Sequence, residues 1–183
     1  MNWYVLFVKT GYEQKMEREI SKVWKVDGLK PFIPTYDARF RKAGKLILEK
    51  RKLFPGYIFI ESKISGIEFY ITVRPFIIQS GNAFKLLRYG RDNEGNYSYE
   101  MNEEEQLAFL NLYNDEYCVE MSKGFIAGES VVITDGPLKG FESKIKKVNR
   151  HRLEAVVEVT MMRRITEVKV GLEIIEKMSK KQW

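Results

Sequence analysis

The sequence has a single cysteine, Cys118, and a single histidine, His151. One residue of each kind cannot form an intramolecular disulfide or a zinc cluster, and most histidine-based catalytic sites are excluded as well. We expect no metal and no cofactor, and no catalytic residue that depends on a histidine. One unpaired thiol is also compatible with the reducing cytoplasm.

Long hydrophobic runs are missing too. The first apolar stretch, Trp3 to Val8, ends after six residues, which is too short for a signal peptide or a membrane span. The composition is that of a folded chain, with 44% hydrophobic and 13% aromatic residues. In 183 residues we expect one mid-sized or two small domains of a soluble, cytoplasmic monomer without a membrane partner.

Acidic residues are outnumbered, since the net charge is +6 and the isoelectric point is about 9.2. Residues 1 to 122 carry 18 basic and 17 acidic side chains, whereas residues 123 to 183 carry 13 and 8. Residues 39 to 52 hold seven basic residues and one acid, and residues 92 to 122 hold nine acids and no lysine or arginine. The basic excess predicts an acidic partner such as a nucleic acid, and we interpret the acidic stretch as a solvated face.

The first two thirds of the chain alternate between strand and helix patterns. Trp3–Val8 and Leu53–Glu61 are the strongest strand patterns, because both are aromatic and β-branched. The other predicted elements are a helix over 12 to 26, an irregular strand over 30 to 36, a basic loop over 39 to 52, a helix over 65 to 73, a break at Arg74-Pro75, a strand over 76 to 79, a polar loop over 81 to 100, and a helix from an Asn102 cap to about Asn114. This β-α-β-β-α-β order with a closing helix is that of a ferredoxin-like sandwich.

The two aromatic strands are apolar on both sides. Strand alternation places Trp3, Val5 and Phe7 on one side of the first strand, and Tyr57 and Phe59 on one side of the second. The residues between them are apolar as well. One side is expected to pack under the helices, so the other must be covered by a loop or a partner, or stay open.

After residue 122 the pattern predicts strands only. Short strands separated by turns favour a small barrel. Gly136 and Gly140 permit a tight loop between the first two strands. The predicted strands cover residues 130–134, 141–148, 153–160 and 165–170, with a barrel core of Val131, Ile133, Ile145 and Val148.

This region contains a recognisable motif. The stretch from Gly128 to Phe141, GESVVITDGPLKGF, resembles the KOW motif of NusG and ribosomal proteins. Together with the opening Trp3-Tyr4-Val5 and the stretch FPGYIFI from Phe54 to Ile60, it makes nearly the whole chain similar to NusG-type transcription elongation factors. The resemblance implies an α+β protein with a ferredoxin-like NGN domain at 1–114, a linker at 115–123 and an all-β KOW barrel at 124–183.

The resemblance also implies partners. In this family the NGN domain docks on the clamp helices of RNA polymerase through an apolar patch on its sheet, and the matching residues are Phe7, Tyr57 and Phe59. These three residues could instead be ordinary core. Basic residues beside the patch face the non-template DNA strand in the family, and the candidates are Lys9, Lys15, Arg18 and Arg74, for which plain surface charge is the alternative.

The last turn departs from the common NusG pattern. An aromatic and a glycine are usual there, whereas this chain reads Met161-Met162-Arg163-Arg164. Since the aromatic belongs to the family's surface for a ribosomal protein and for the terminator Rho, both partnerships are in doubt. The basic residues of the barrel predict a site for nascent RNA, such as a hairpin, against the alternative of a solvated face with weak affinity; they are Lys139, Lys144, Lys146, Lys147, Arg150, His151, Arg152, Arg163 and Arg164.

The whole pattern resembles specialised NusG paralogs such as LoaP and RfaH, which keep polymerase from pausing or terminating. An alternative within the family is general NusG duty, with the KOW domain bound to the ribosome or to Rho. An alternative outside it is a carboxylate-dependent nuclease that uses the acidic run Glu103 to Glu105. Consecutive glutamates point in different directions around a helix, so they favour a role at its N-terminal dipole.

Overall fold

The computed structural model describes residues 1–24, 28–91 and 95–175 and, within these, all side chains except those of residues 41 and 42. The strands, in chain order, are β1 (Asn2–Val8), β2 (Lys30–Phe32), β3 (Thr35–Lys42), β4 (Lys45–Lys52), β5 (Tyr57–Ser62), β6 (Ala83–Leu86), β7 (Gly90–Arg91), β8 (Tyr97–Ser98), β9 (Cys118–Val119), β10 (Ser122–Ala127), β11 (Ser130–Asp135), β12 (Ile145–Asn149), β13 (Glu154–Met161) and β14 (Arg164–Ile174). The helices are α1 (Glu13–Val23), α2 (Gly66–Gln79) and α3 (Glu103–Leu112), and a 3-10 turn spans Glu142–Lys144.

Spatial contacts divide the chain into two compact units. Unit 1 contains residues 1–34, 54–110 and 160–165. Unit 2 contains residues 35–53, residues 111–159 and the chain from residue 166 onward. The boundaries at 114 and 124 that the sequence suggests stay a prediction.

Unit 1 is built on a four-stranded sheet in the order β2-β5-β1-β6. β1 runs antiparallel to β5, with Phe7 opposite Tyr57 and Val5 opposite Phe59. One face of this sheet packs against α1 and α2, and the core between them includes Tyr4, Leu6, Ile58, Ile60, Met16, Ile20, Phe69 and Val73. The ferredoxin-like arrangement expected from the sequence is confirmed.

α1 forms because its buried side chains recur at helical spacing. Met16 and Ile20, four residues apart, are fully buried against the sheet. The helix ends at Val23, where the backbone N–H of Trp24 donates to the carbonyl of Ile20. The predicted end at residue 26 lies outside the described residues.

α2 corrects the sequence prediction of a short helix, a break and a strand. It is one helix that continues through Pro75. Proline removes one backbone donor, but Pro75 and Ile71 are both exposed, so water can bind the carbonyl that loses its partner. The burial of Phe69 and Val73 holds the helix together on its inner side.

The stretch from residue 39 to residue 52 is not a loop, as the sequence suggested, but most of a β-hairpin in unit 2. β3 and β4 pair from Thr35 and Lys52 out to Lys42 and Lys45. Ala43 and Gly44 make the turn, with positive φ angles of 51° and 77°. Two successive residues with positive φ give the primed turn that fits the twist of paired strands.

The stretch from residue 81 to residue 100 is also more ordered than expected. It contains β6, the fourth strand of the sheet of unit 1, and the small β7–β8 pair. The short strands escaped prediction because glycine, asparagine and charged residues surround them.

Unit 2 contains the predicted small barrel. Its five-stranded sheet has the order β11-β10-β14-β13-β12, in which β10 is antiparallel to β11 and parallel to β14. Gly136 and Gly140 have φ angles of 96° and 89°, in the left-handed region that glycine adopts readily. The buried apolar side chains of this sheet include Ile133, Ala155, Val157, Val168, Val170 and Leu172.

None of the helices in the described part of the chain has the length and apolar content needed to span a bilayer.

Candidate functional site

An aromatic patch lies on the sheet face of unit 1 opposite α1 and α2. Phe7 on β1 faces Tyr57 on β5, with ring centroids 5.3 Å apart. Phe84 on β6 lies on the other side of Phe7, at 5.2 Å. The Phe84 side chain is 51% exposed, and Phe7 and Tyr57 are half-buried. Contiguous exposed aromatics of this kind mark interaction surfaces.

Phe59 does not belong to this aromatic patch, which corrects the sequence-based expectation. Its ring is fully buried. Its ring centroid lies 6.2 Å from that of Trp3, 5.5 Å from that of Phe54 and 5.9 Å from that of Phe109 on α3. The third helix thus covers one half of the sheet face, and among the described residues no helix covers the half with Phe7, Tyr57 and Phe84.

Phe84 escaped the sequence prediction because residues 81 to 100 have the composition of a loop. In the run Ala83-Phe84-Lys85-Leu86 the two outer residues are buried and the two middle ones are exposed, so burial does not alternate along this strand. The register of β6 against β1 shifts between the pairs Phe7–Lys85 and Val8–Ala83, so the strand lacks the period-two pattern by which a sequence is recognised as a strand.

The rim of the aromatic patch is held by Glu13, whose carboxylate is fully buried. It accepts the backbone N–H of Gly11 at 2.8 Å and that of Gly56 at 2.7 Å. These two loops lead out of β1 and into β5. Gly56 has a φ of 87°, and a side chain there would place its Cβ 3.0 Å from the Thr10 hydroxyl. The rim therefore has little freedom to change shape.

Two of the four predicted DNA-contact residues come together beside Tyr12. The ammonium groups of Lys9 and Lys15 lie 4.8 and 5.8 Å from the centre of its ring. Lys15 also forms an exposed ion pair with Glu19 at 3.8 Å. Arg18 follows on the next turn of α1, where its Nε donates to the carbonyl of Gln14, and Arg74 lies on α2.

Seven of the nine predicted RNA-contact residues lie in unit 2, and all seven are exposed. Lys146 and Lys147 lie on β12 at the edge of the five-stranded sheet, just after Lys144. Lys146 forms an ion pair with Glu158 at 2.9 Å. The remaining residues lie in turns: Lys139 after Pro137, and Arg150, His151 and Arg152 between β12 and β13.

The other two predicted RNA-contact residues, Arg163 and Arg164, lie in unit 1 with the turn between β13 and β14. Met162 and Arg163 form the turn with φ angles of 52° and 63°, a conformation that costs a non-glycine residue about 1 kcal/mol or more. The carboxylate of Glu105 accepts the N–H of Met162 at 2.8 Å and that of Arg163 at 3.0 Å. These two hydrogen bonds stabilise the strained turn.

The acidic run Glu103 to Glu105 lies in the first turn of α3, where it has a structural role. Asn102 caps α3 by accepting the N–H of Glu105 at 2.8 Å, so the predicted cap is confirmed. Glu105 is buried and bound to the turn, whereas Glu103 and Glu104 are exposed. In the described part of the chain no group of three or more metal-ligating side chains comes together.

The chain is similar to known proteins over nearly its whole length. The family model described as NusG, transcription termination factor nusG, matches residues 1–90, and the KOW motif model matches residues 127–160. The transcription termination/antitermination protein NusG of Bacillus subtilis is 24% identical over 97% of this chain and 98% of its own length. The protein of the same name from Borreliella burgdorferi is 26% identical over 96% and 98%.

Among solved structures, the NusG of Thermotoga maritima, solved in a study of its domain interaction, superposes with a TM-score of 0.51 and 26% identity. The match covers 94% of this chain and 93% of that one. These relatives are transcription factors, so the nuclease alternative is wrong.

Proposed function

Since the chain belongs to the NusG family of transcription termination/antitermination factors, we propose that it binds RNA polymerase through the aromatic patch of Phe7, Tyr57 and Phe84. The observation that carries the proposal is the uncovered half of the sheet face, where Phe84 is 51% exposed although α3 covers the other half. The site of action is the cytoplasm, and the apolar partner surface is that of the polymerase clamp helices.

The mechanism needs no bond chemistry. A factor that bridges the clamp holds it closed and disfavours the opening that pausing and termination require. The aromatic patch supplies contact area at low entropic cost, because phenylalanine and tyrosine have few rotatable bonds. The Glu13 hydrogen bonds keep the rim in one shape before binding, so less ordering is needed on contact. The expected result is processive elongation and antitermination.

The polymerase contact can be tested with one exposed ring. Phe84→Ala removes an exposed side chain without opening the core, so the fold should persist. Truncation of a central interface aromatic costs roughly 2 kcal/mol, or about 30-fold in Kd for elongation complexes. Ile78→Ala is the matched control, because Ile78 on α2 is 69% exposed and lies away from the aromatic patch. Equal affinity of both variants would place the polymerase contact elsewhere.

Lys9 and Lys15 support a second contact, with the non-template DNA strand. Both ammonium groups lie over the Tyr12 ring, and Lys9 directly follows the last residue of β1. Clustered cations next to an aromatic suit a single-stranded backbone with exposed bases. Arg18 extends the same positive surface along α1, while Arg74 belongs to α2 and supports the DNA contact less.

The barrel in unit 2 is proposed to bind nascent RNA, such as a hairpin. The supporting observation is the exposed basic edge formed by Lys144, Lys146, Lys147 and the turn of Arg150, His151 and Arg152. Such an edge binds phosphates. The logarithm of the binding constant falls linearly with the logarithm of the salt concentration, and the slope grows with the number of phosphate contacts. A recruiting RNA would direct the factor to particular transcripts.

A titration of the full chain with a labelled RNA hairpin and with duplex DNA of equal length tests the RNA proposal. We expect tighter binding of RNA that persists at moderate salt. Weak binding, equal for both nucleic acids and lost with salt, would contradict it and would favour a protein partner such as the ribosome or Rho.

A further inference from the structure

An arginine–tyrosine cluster, made of Arg88, Tyr89, Arg91, Tyr97 and Arg163, lies on the β7–β8 pair of unit 1. Arg91 pairs with Tyr97 across the two strands. The Tyr97 ring carries two guanidinium groups, that of Arg88 at 3.8 Å and that of Arg91 at 4.6 Å from its centre. Arg91 also donates to the Tyr97 hydroxyl at 3.1 Å and to the Gly95 carbonyl at 3.2 Å.

The third guanidinium group comes from the turn after β13. Arg163 lies 4.9 Å from the centre of the Tyr89 ring. The Tyr89 hydroxyl donates to Glu105, the same carboxylate that binds the backbone of Arg163. Burial and the nearby Glu105 raise the pKa of Tyr89, so the hydroxyl stays protonated and keeps this hydrogen bond. Glu105 thus holds both partners of this contact, Tyr89 through its hydroxyl and Arg163 through its backbone.

Gly90 makes room for Arg163. A side chain at residue 90 would place its Cβ 2.9 Å from a terminal nitrogen of Arg163. That nitrogen is the end of a flexible side chain, so a larger residue would displace the guanidinium and leave the backbone in place. Residue 90 therefore sets the position of Arg163.

Among the described residues, no carboxylate neutralises the guanidinium groups of the three arginines. In the described part of the chain none of them forms an ion pair with a carboxylate, unlike Arg39, Arg51 and Lys50, which do. Their side chains are exposed but ordered by the tyrosines. A guanidinium stacked on a ring still presents its N–H edge and its outer plane to a ligand.

We propose that the arginine–tyrosine cluster is an RNA-binding site, which takes unpaired nucleotides with their phosphates on the N–H edges and their bases on the guanidinium planes. This inference rests on the proposed RNA-binding function and adds to it a site outside the barrel of unit 2. Unpaired nucleotides fit better than duplex DNA, because stacking on arginine planes needs bases that are free of the helix.

The test uses the full chain and a fluorescein-labelled RNA hairpin with an unpaired loop, titrated at several salt concentrations. The main variant is R88Q/R91Q, and its control is K22Q/K30Q, which removes the same charge from exposed lysines of unit 1. We expect R88Q/R91Q to weaken RNA binding about tenfold or more and to reduce the slope of log K against log salt by roughly 1 to 2. The control should change the affinity for RNA less than about twofold, because its two lysines lie outside the proposed site.

Two further variants keep the charge constant. Tyr97→Leu removes the stacking platform, and Gly90→Val displaces Arg163, so each should weaken RNA binding several-fold while circular dichroism and the melting temperature stay near wild type. An R88Q/R91Q variant that binds like its control would overturn the inference, provided that the wild type prefers RNA. A wild type without any preference for RNA would instead contradict the proposed RNA function itself.

Discussion

Two buried carboxylates bind pairs of backbone amides. Glu13 binds the N–H groups of Gly11 and Gly56, and Glu105 binds those of Met162 and Arg163. Each connects segments that are far apart in sequence and that lie beside candidate contact residues. An acceptor-only group suits this task, because a carboxylate satisfies two donors without adding one.

Glu13→Gln tests the first of these connections. The amide can accept from one N–H, but its NH₂ group meets a second donor, so one buried N–H loses its partner. We expect a loss of about 1–3 kcal/mol in the free energy of unfolding, measured by urea titration. Glu19→Gln, which removes only an exposed ion pair, should change stability by less than ~1 kcal/mol. Equal effects of the two variants would contradict the role given to Glu13.

Cys118 is expected to react slowly in the folded chain. Burial raises the pKa of its thiol, and the thiolate is the reactive form, so little of it exists near neutral pH. Labelling with an aromatic disulfide reagent should be slow at pH 8 and become fast in guanidinium chloride. In the folded state, the labelling rate should rise only at pH values above those at which an ordinary thiol titrates. Rapid labelling of the folded chain at pH 8 would contradict the buried position.

At the scale of elements, α3 decides which part of the sheet face is open. Phe109 packs edge-on against Phe54 and Phe59 at 5.8 and 5.9 Å, and it is buried. The helix has few buried side chains besides, and Leu107 and Leu110 are exposed. Its attachment to the sheet therefore depends strongly on one ring.

Phe109→Ala should destabilise unit 1 by roughly 3–5 kcal/mol, because it leaves a cavity next to Phe59. Thermal unfolding followed by tryptophan fluorescence would report the change, since Trp3 lies 6.2 Å from Phe59. Leu107→Ala on the same helix should have little effect, as its side chain is 59% exposed. A Phe109→Ala variant as stable as wild type would show that the Phe109 ring is not what attaches α3 to the sheet.

The sequence predicted the elements whose pattern is strong and local. β1, β5 and α1 carry runs of aromatic or helically spaced apolar residues, and the KOW loop has glycines where positive φ is needed. The alternation of β1 and β5 also identified the face with Phe7 and Tyr57. It could not separate Tyr57 from Phe59, because the difference between them comes from α3, which is distant in sequence.

Elements governed by long-range packing were predicted poorly. Pro75 suggested a break, but α2 continues because its inner side is buried. β6 and the β7–β8 pair lie in a polar stretch whose pattern is that of a loop, so Phe84, Arg88 and Arg91 were not recognised as candidate contact residues. The pairing that orders them involves β1, Tyr97 and Arg163, which local patterns do not report.

For the whole molecule, charge is distributed unevenly along the chain. The excess of basic residues is concentrated after residue 122, while residues 92 to 122 hold nine acids and no lysine or arginine. The apolar contact proposed for polymerase lies in unit 1, and the basic edge proposed for RNA lies in unit 2. Added salt should therefore weaken the phosphate contact more than the apolar contact.

Single-round transcription through a terminator with RNA polymerase shows whether the aromatic patch carries the function. Wild-type protein and the Phe7→Ala/Phe84→Ala variant would be compared at equal concentration, with Ile78→Ala as the control. We predict that wild type and Ile78→Ala raise read-through and that the Phe7→Ala/Phe84→Ala variant, although folded, does not. Read-through raised equally by the double variant would contradict the role proposed for the aromatic patch.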